Sequence, residues 1–226
     1  VFTVGQQLEA VIRASIGRQE LSETSVQNRS LAALEEVALA DPARLLKAYP
    51  IQLSGGMRQR VCIGMALATQ PKLLIADEPG TSLDVTIQDQ VLRLLRRLVL
   101  EKNTSIILIT HDLGIIAEMC DEVNVMYAGQ IVEQANVFDL FDRPSHPYTR
   151  GLLASIPKAD VKRTGARMPS ISGMVPNHAA LPPGCRFHPR CAEAMPVCRA
   201  REPALIEVGQ GHRARCWLHD TIGATA

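Results

Sequence analysis

The sequence predicts an α/β domain built on a mostly parallel sheet, with a cysteine-rich extension at its carboxy-terminal end. Three observations lead there. Two short, wholly apolar runs, Leu73-Leu74-Ile75-Ala76 and Ile106-Ile107-Leu108-Ile109, each end abruptly in polar residues, as buried parallel strands do. Between them Leu83, Ile87, Val91, Leu94 and Leu98 mark one apolar stripe of a long helix. Four cysteines, Cys185, Cys191, Cys198 and Cys216, crowd into the tail, while Cys62 and Cys120 stand alone.

Residues 5–50 predict helices, because Leu8, Val11 and Ile12, and then Leu31, Leu34 and Val37, have helical spacing. Asp41-Pro42 starts a further short helix, since proline is tolerated in a first turn, and Tyr49-Pro50 ends it. Ser54-Gly55-Gly56 opens the next helix with Ser54 as N-cap, and the helix runs to about Ala68 before Pro71. The segment Val123–Tyr127, Ala128-Gly129, Gln130–Val132 predicts a hairpin, expected as an antiparallel pair closing the parallel sheet. From Ala159 onward Gly165, Pro169, Gly173, Pro176, Pro182, Pro183 and Gly184 indicate a linker, with Lys158, Lys162, Arg163 and Arg167 as solvated charges. The expected organisation is a helical subdomain over 1–50, an α/β core over 51–157, and a linker with a cysteine-bearing extension over 158–226.

The chain has 226 residues, 46% of them apolar, which is enough to bury a proper core. Twenty-four Lys and Arg balance 23 Asp and Glu, which gives no electrostatic case for nucleic acid or an anionic membrane as the main partner. No apolar run approaches the ~18–20 residues that a spanning helix needs. The opening Val1-Phe2-Thr3-Val4 reads as the middle of a longer sequence, and a fragment is expected. Without a secretory signal, the cysteines point to a metal site or reduced thiols rather than disulfides.

Four strings carry chemistry. In Leu53-Ser54-Gly55-Gly56-Met57-Arg58-Gln59-Arg60, two glycines at a helix start leave backbone N–H groups open to close approach by an anion. The helix dipole and the Ser54 hydroxyl add to that site, although an ordinary serine-capped helix has the same look. Ile75-Ala76-Asp77-Glu78-Pro79 delivers two adjacent carboxylates to a sheet edge, where one can hold Mg²⁺ through water and the next can act as general base. A strand followed by an acidic turn is common, so this string alone is weak. Asp84 has the position of a first-turn helix acid, and His111 follows the second strand, 34 residues after Asp77.

Taken in order and spacing, LSGGMRQR, LLIADEP, SLD and ITHD resemble the signature motif, Walker B strand, D-loop and switch histidine of the ABC ATPase family. The resemblance covers roughly residues 1–157 and implies an ABC-type P-loop ATPase fold. It also implies that Asp77 attends Mg²⁺, that Glu78 is the catalytic base, and that His111 contacts the γ-phosphate and attacking water. Ser54, Gly55 and Gly56 would cap ATP held by the opposite subunit of a dimer, and Asp84 would be the D-loop acid. Asp84-Val85-Thr86-Ile87-Gln88, Val125-Met126-Tyr127-Ala128-Gly129, His146-Pro147-Tyr148-Thr149 and Gly184-Cys185-Arg186-Phe187-His188-Pro189-Arg190-Cys191 are similar to the peptide/nickel importer ATPases.

That resemblance implies a second ABC ATPase subunit, membrane permease subunits and, indirectly, a substrate-binding protein as partners, with the chain at the cytoplasmic face of the membrane. Some members hold a four-iron four-sulfur (4Fe–4S) cluster in the extension. Here the spacing C-x5-C-x6-C-x17-C departs from zinc knuckles, so an iron–sulfur cluster, zinc with His188 or His212, and unligated thiols all stay open.

The chain departs from the family in four places. G-x-x-x-x-G-K-S/T is absent, and no Gly-Lys pair occurs anywhere in the chain. The family's glutamine loop, expected just before residue 1, is missing too. The phosphate cradle is therefore lacking, and the chain alone is not expected to bind ATP in the usual way or turn it over. Gly80 stands where close relatives carry threonine. Gly64, in the signature helix, should cost roughly 1 kcal/mol relative to alanine. The competing expectations are a non-catalytic chain that completes a partner's ATP site, and a soluble ABC protein acting on nucleic acid.

Overall fold

The computed structural model describes residues 2–16, 22–81, 83–102, 104–156 and 169–220. Residues 157–168, which begin the linker and carry its cations Lys158, Lys162, Arg163 and Arg167, and Ser82 of the SLD string lie outside the described residues. The chain divides into two compact units, 1–111 and 112–226.

The first unit begins with helices α1 (Val4–Ile16), α2 (Glu23–Glu36) and α3 (Pro42–Leu46). A 3₁₀ turn at Pro50–Gln52 leads into α4 (Gly55–Leu67). Strand β1 (Leu73–Asp77), helix α5 (Val85–Lys102) and strand β2 (Ser105–Ile109) complete it. Leu8 and Ile12 of α1, Leu34 of α2, Leu45 of α3 and Val91 and Leu95 of α5 are all buried. Contacts run from α1 to α2 and α3, from α2 to α4, and from α4 to α5.

Two glycines set how closely these helices approach. A Cβ on Gly64 would lie 2.9 Å from the Ala33 carbonyl oxygen, so α4 and α2 meet where only glycine fits. Alanine there would strain the backbone of α2, and the expected gain from a better helix former is overturned. Gly56 plays the same part at the start of α4, where a Cβ would lie 2.6 Å from Ile87 Cγ2. Arg60 braces this packing by donating to the Val37 and Ala38 carbonyls at 3.1 and 3.3 Å and to Gln90 Oε1 at 2.9 Å.

Strands β1 and β2 are parallel as expected, in the register Leu73↔Ser105 through Asp77↔Ile109. They are not buried as expected. Ile75 is 61% exposed, and Leu73, Ile107 and Ile109 are each about half exposed. Side chains alternate across a strand, so these four share one face, and in a two-stranded pair that face is uncovered among the described residues. Parallel strands ordinarily have both faces covered.

The second unit comprises α6 (Leu113–Met119), β3 (Glu122–Tyr127), β4 (Gln130–Asn136), α7 (Val137–Asp142) and α8 (Pro147–Ala154). After a 3₁₀ turn at His188–Arg190 come α9 (Pro196–Ala200), β5 (Ile206–Gly209) and β6 (His212–Ala214). Ala128 and Gly129, both at positive φ (47° and 79°), turn the β3–β4 hairpin, the conformation a two-residue turn demands. The hairpin does not close the parallel pair. Instead β4 pairs with β6 through Glu133↔Ala214 and Gln134↔Arg213, giving a four-stranded antiparallel sheet in the order β3-β4-β6-β5. The cysteine-rich tail thus supplies half of that sheet. Its core holds Val125, Tyr127, Val132, Leu140 and Phe187.

Candidate active site and the cysteine-rich tail

Parallel pairing brings the polar ends of β1 and β2 to one edge. Asp77 stands opposite Ile109, and the next N–H, that of Glu78, donates to the Ile109 carbonyl at 2.9 Å. His111 follows two residues later, and its Nδ1 lies 2.7 Å from Glu78 Oε1. The other carboxylate oxygen accepts from Thr81 Oγ1, also at 2.7 Å. Glu78 itself sits in the left-handed region, at φ 47°, where a non-glycine residue is uncommon. The bond from His111 and then that from Thr81 hold the Glu78 carboxyl below the usual carboxylate range. Asp77 is exposed at the same edge, a hard oxygen donor of the kind that suits Mg²⁺.

Ser54 caps α4 by accepting the Met57 N–H at 3.3 Å. A hydroxyl that accepts one hydrogen bond still has its own proton to donate. Ser54 and Gly55 are exposed and Gly56 is half-buried, so the start of α4 is open to a ligand. Asp84 Oδ1 accepts the Ile87 N–H at 3.0 Å, which makes it the cap of α5. Gly80 is not among the residues at positive φ, so its backbone does not require glycine. The nearest atoms a Cβ there would meet belong to the Gln88 side chain, at 2.7 Å from Cγ.

In the tail, the Cys185 N–H donates to the Cys198 carbonyl at 2.8 Å. Burial pushes the Cys216 thiol up to about 11, and the other three tail cysteines add to that. Cys185 and Cys191 are raised as well, chiefly by burial. The four thiols are therefore neighbours, all of a donor type that iron–sulfur chemistry uses. Even so, no group of three or more His, Cys, Asp or Glu among the described residues is arranged to hold a metal ion. The sulfurs gather without closing into a preformed cage.

The sequence reading missed the polar knot beneath the tail. Glu133, fully buried, accepts from the Ser145 and His146 N–H groups at 2.5 and 3.0 Å, and its Oε1 lies 2.7 Å from His212 Nε2. His146, 1% exposed, caps α8 through its Nδ1, which accepts the Tyr148 N–H at 3.0 Å. That cap needs a neutral ring. Burial supplies it by pushing the His146 pKa down to about 4; Arg150 and His219 act in the same direction and Glu133 against it. A glutamate inside an alternating strand was the available signal, since Glu133 follows Val132 on the hairpin.

On acidification the unfolded chain takes up a proton at His146 near pH 6.5, whereas the folded ring stays neutral to about 4. Stability present above the unfolded value is lost across that window, by about 2 kcal/mol between pH 7 and pH 5. Urea unfolding followed at Trp217, the single tryptophan, checks this. His146→Asn keeps a capping oxygen without a titrating ring and is expected to flatten the pH dependence.

The sequence profile of the ABC transporter family matches residues 2–81. That of the oligopeptide/dipeptide transporter C-terminal region matches residues 132–198. The oligopeptide transport ATP-binding protein AppD of Bacillus subtilis (strain 168) is 48% identical over 224 residues, 99% of this chain and 67% of that protein. The chain belongs to the ATP-binding proteins of oligopeptide/dipeptide ABC transporters.

A probable peptide ABC transporter ATP-binding protein of Sinorhizobium fredii, y4tR, is 52% identical over 98% of this chain and 65% of its own length. The dipeptide transport ATP-binding protein DppD of Bacillus subtilis is 45% identical over 97% of this chain and 64% of its own. The chain thus spans about two-thirds of the length of these ABC relatives. Among solved structures, the dimeric bacterial ABC transporter cassette MJ0796 aligns at TM-score 0.53 and 27% identity, covering 61% of this chain and 57% of that one. The same cassette in a post-hydrolysis state bound to ADP and Pi aligns at TM-score 0.51 and 28% identity, over the same shares. No helix among the described residues is long and apolar enough to cross a membrane.

Proposed function

We propose that this chain supplies the hydrolytic half of an ATP site that powers import of oligopeptides or dipeptides. The observation that carries the reading is the Glu78–His111 contact of 2.7 Å at the edge where β1 and β2 end. Glu78 takes a proton from the attacking water, and His111 orients that water and the γ-phosphate. Asp77 would hold Mg²⁺ through water, and the ion when bound neutralises charge on the phosphate oxygens. Ser54, with the open N–H groups of Gly55 and Gly56, closes on ATP held by a second ATPase subunit. Asp84 holds the start of α5 beside them.

The chain has no Gly-Lys pair to cradle its own nucleotide, so it acts with a phosphate-binding loop that lies outside these residues. Permease subunits carry it at the cytoplasmic face of the membrane, with a substrate-binding protein beyond them. In this reading residues 1–50 are the helical subdomain, 51–157 the ATPase core and 158–226 the linker and extension. ATP turnover tests it: the full-length protein of which this sequence is part should hydrolyse ATP, and the 226 residues alone should not. Turnover by these residues alone, or none by the full-length protein with its partners, sinks the reading.

The convergence of Cys185, Cys191, Cys198 and Cys216 supports a second element, a 4Fe–4S cluster held by the tail. Thiols with raised pKa must lose protons to bind metal, so loading would favour higher pH. Iron absent from a well-folded, anaerobically purified sample rejects this element and leaves the ATPase reading untouched.

A further inference from the structure

Glu78 is gripped from two sides, and only one grip belongs to the motif that His111 represents. We propose that Thr81 is a positioning residue for the Glu78 carboxylate: its hydroxyl holds Oε2 at 2.7 Å while His111 Nδ1 holds Oε1 at 2.7 Å. The inference rests on the reading of Glu78 as the base.

The backbone explains why Thr81 is in place. Glu78 at φ 47° turns the chain sharply after β1, and Pro79 restricts the next φ. The Thr81 N–H then returns to the Glu78 carbonyl at 3.1 Å, so one residue binds both the main chain and the side chain of Glu78. Beyond it, the Leu83 N–H donates to the Gly80 carbonyl at 3.3 Å and Asp84 caps α5. The turn is thereby tied to the end of β1 and to the start of α5. Two donors on two oxygens fix the plane of a carboxylate, where one would leave it free to rotate about its last bond. Thr81 therefore sets where the Glu78 oxygens point.

Thr81 is exposed, so its replacement removes no core packing. Steady-state ATP hydrolysis by the full-length protein, with kcat and KM read separately, tests it. Thr81→Val keeps the shape without the hydroxyl and is expected to lower kcat about 10-fold, with KM for ATP unchanged, because the oxygens of Glu78 lose their fixed aim. Thr81→Ala should do the same, and Thr81→Ser, which restores the hydroxyl, should recover kcat. An unchanged kcat in Thr81→Val and Thr81→Ala, with the fold intact by circular dichroism, overturns the proposal. Full turnover by Glu78→Gln would instead overturn the base reading, whatever the Thr81 variants show.

Discussion

Glu78→Gln in the full-length protein is expected to lower ATP turnover at least about 100-fold, the lower end of what a positioned general base contributes. The amide has the size of the carboxylate but no lone pair able to take a proton from water at neutral pH. The fold should survive, because the side chain stands at the sheet edge with about a third of its surface exposed. One oxygen remains to accept from Thr81, so the turn after β1 is kept. The loss should therefore appear in kcat rather than in the affinity for ATP, measured by steady-state hydrolysis and nucleotide binding on one preparation. Equal turnover in the variant and the unchanged protein would mean that the water is activated by another group.

The largest expected effect on stability lies elsewhere. Glu133→Ala should destabilise the carboxy-terminal unit by about 3–5 kcal/mol, because it strips the shared acceptor from a buried cluster of N–H donors. Glu133 is fully buried and receives three N–H donors, from Ser145, His146 and His212. Deleting it leaves all three without an acceptor in a site closed to water, and an unsatisfied buried donor costs about 1–3 kcal/mol. The damage spreads, because the same carboxylate joins β4 to β6 and to the segment that starts α8. Glu133→Gln keeps one acceptor oxygen and should fall between alanine and the unchanged chain. Urea unfolding monitored at Trp217 suits the measurement, since that residue is buried and its Nε1 donates to the Arg201 carbonyl at 3.0 Å. A Glu133→Ala midpoint matching that of the unchanged chain would show that the knot contributes nothing to stability.

The placement of Asp77, Glu78 and His111 was legible because each stands at, or within two residues of, the end of a short apolar strand. The ends of parallel strands lie at one edge whatever the rest of the fold does. Ser54 was legible for the same local reason, since a cap bonds to an N–H three residues away. Glu133 and His212 are 79 residues apart, and nothing in either neighbourhood announces the other. The expected hairpin formed, but its partner β6 could not be read, because alternation marks a strand and not its neighbour.

The order of elements, the family and the placing of Asp77, Glu78 and His111 at one sheet edge were all legible in the chain itself. All of these follow from signals that act within a few residues, in capping, strand ends and turn chemistry. It took the packed molecule to reveal that Gly64 and Gly56 are there for close packing, that one face of the β1–β2 pair is uncovered among the described residues, and that the tail completes a sheet. The packed molecule also revealed that Thr81 completes the grip on Glu78. Each of these depends on which surfaces meet in space, and the strength of a buried contact is set by what surrounds it rather than by the residues that flank it in the chain.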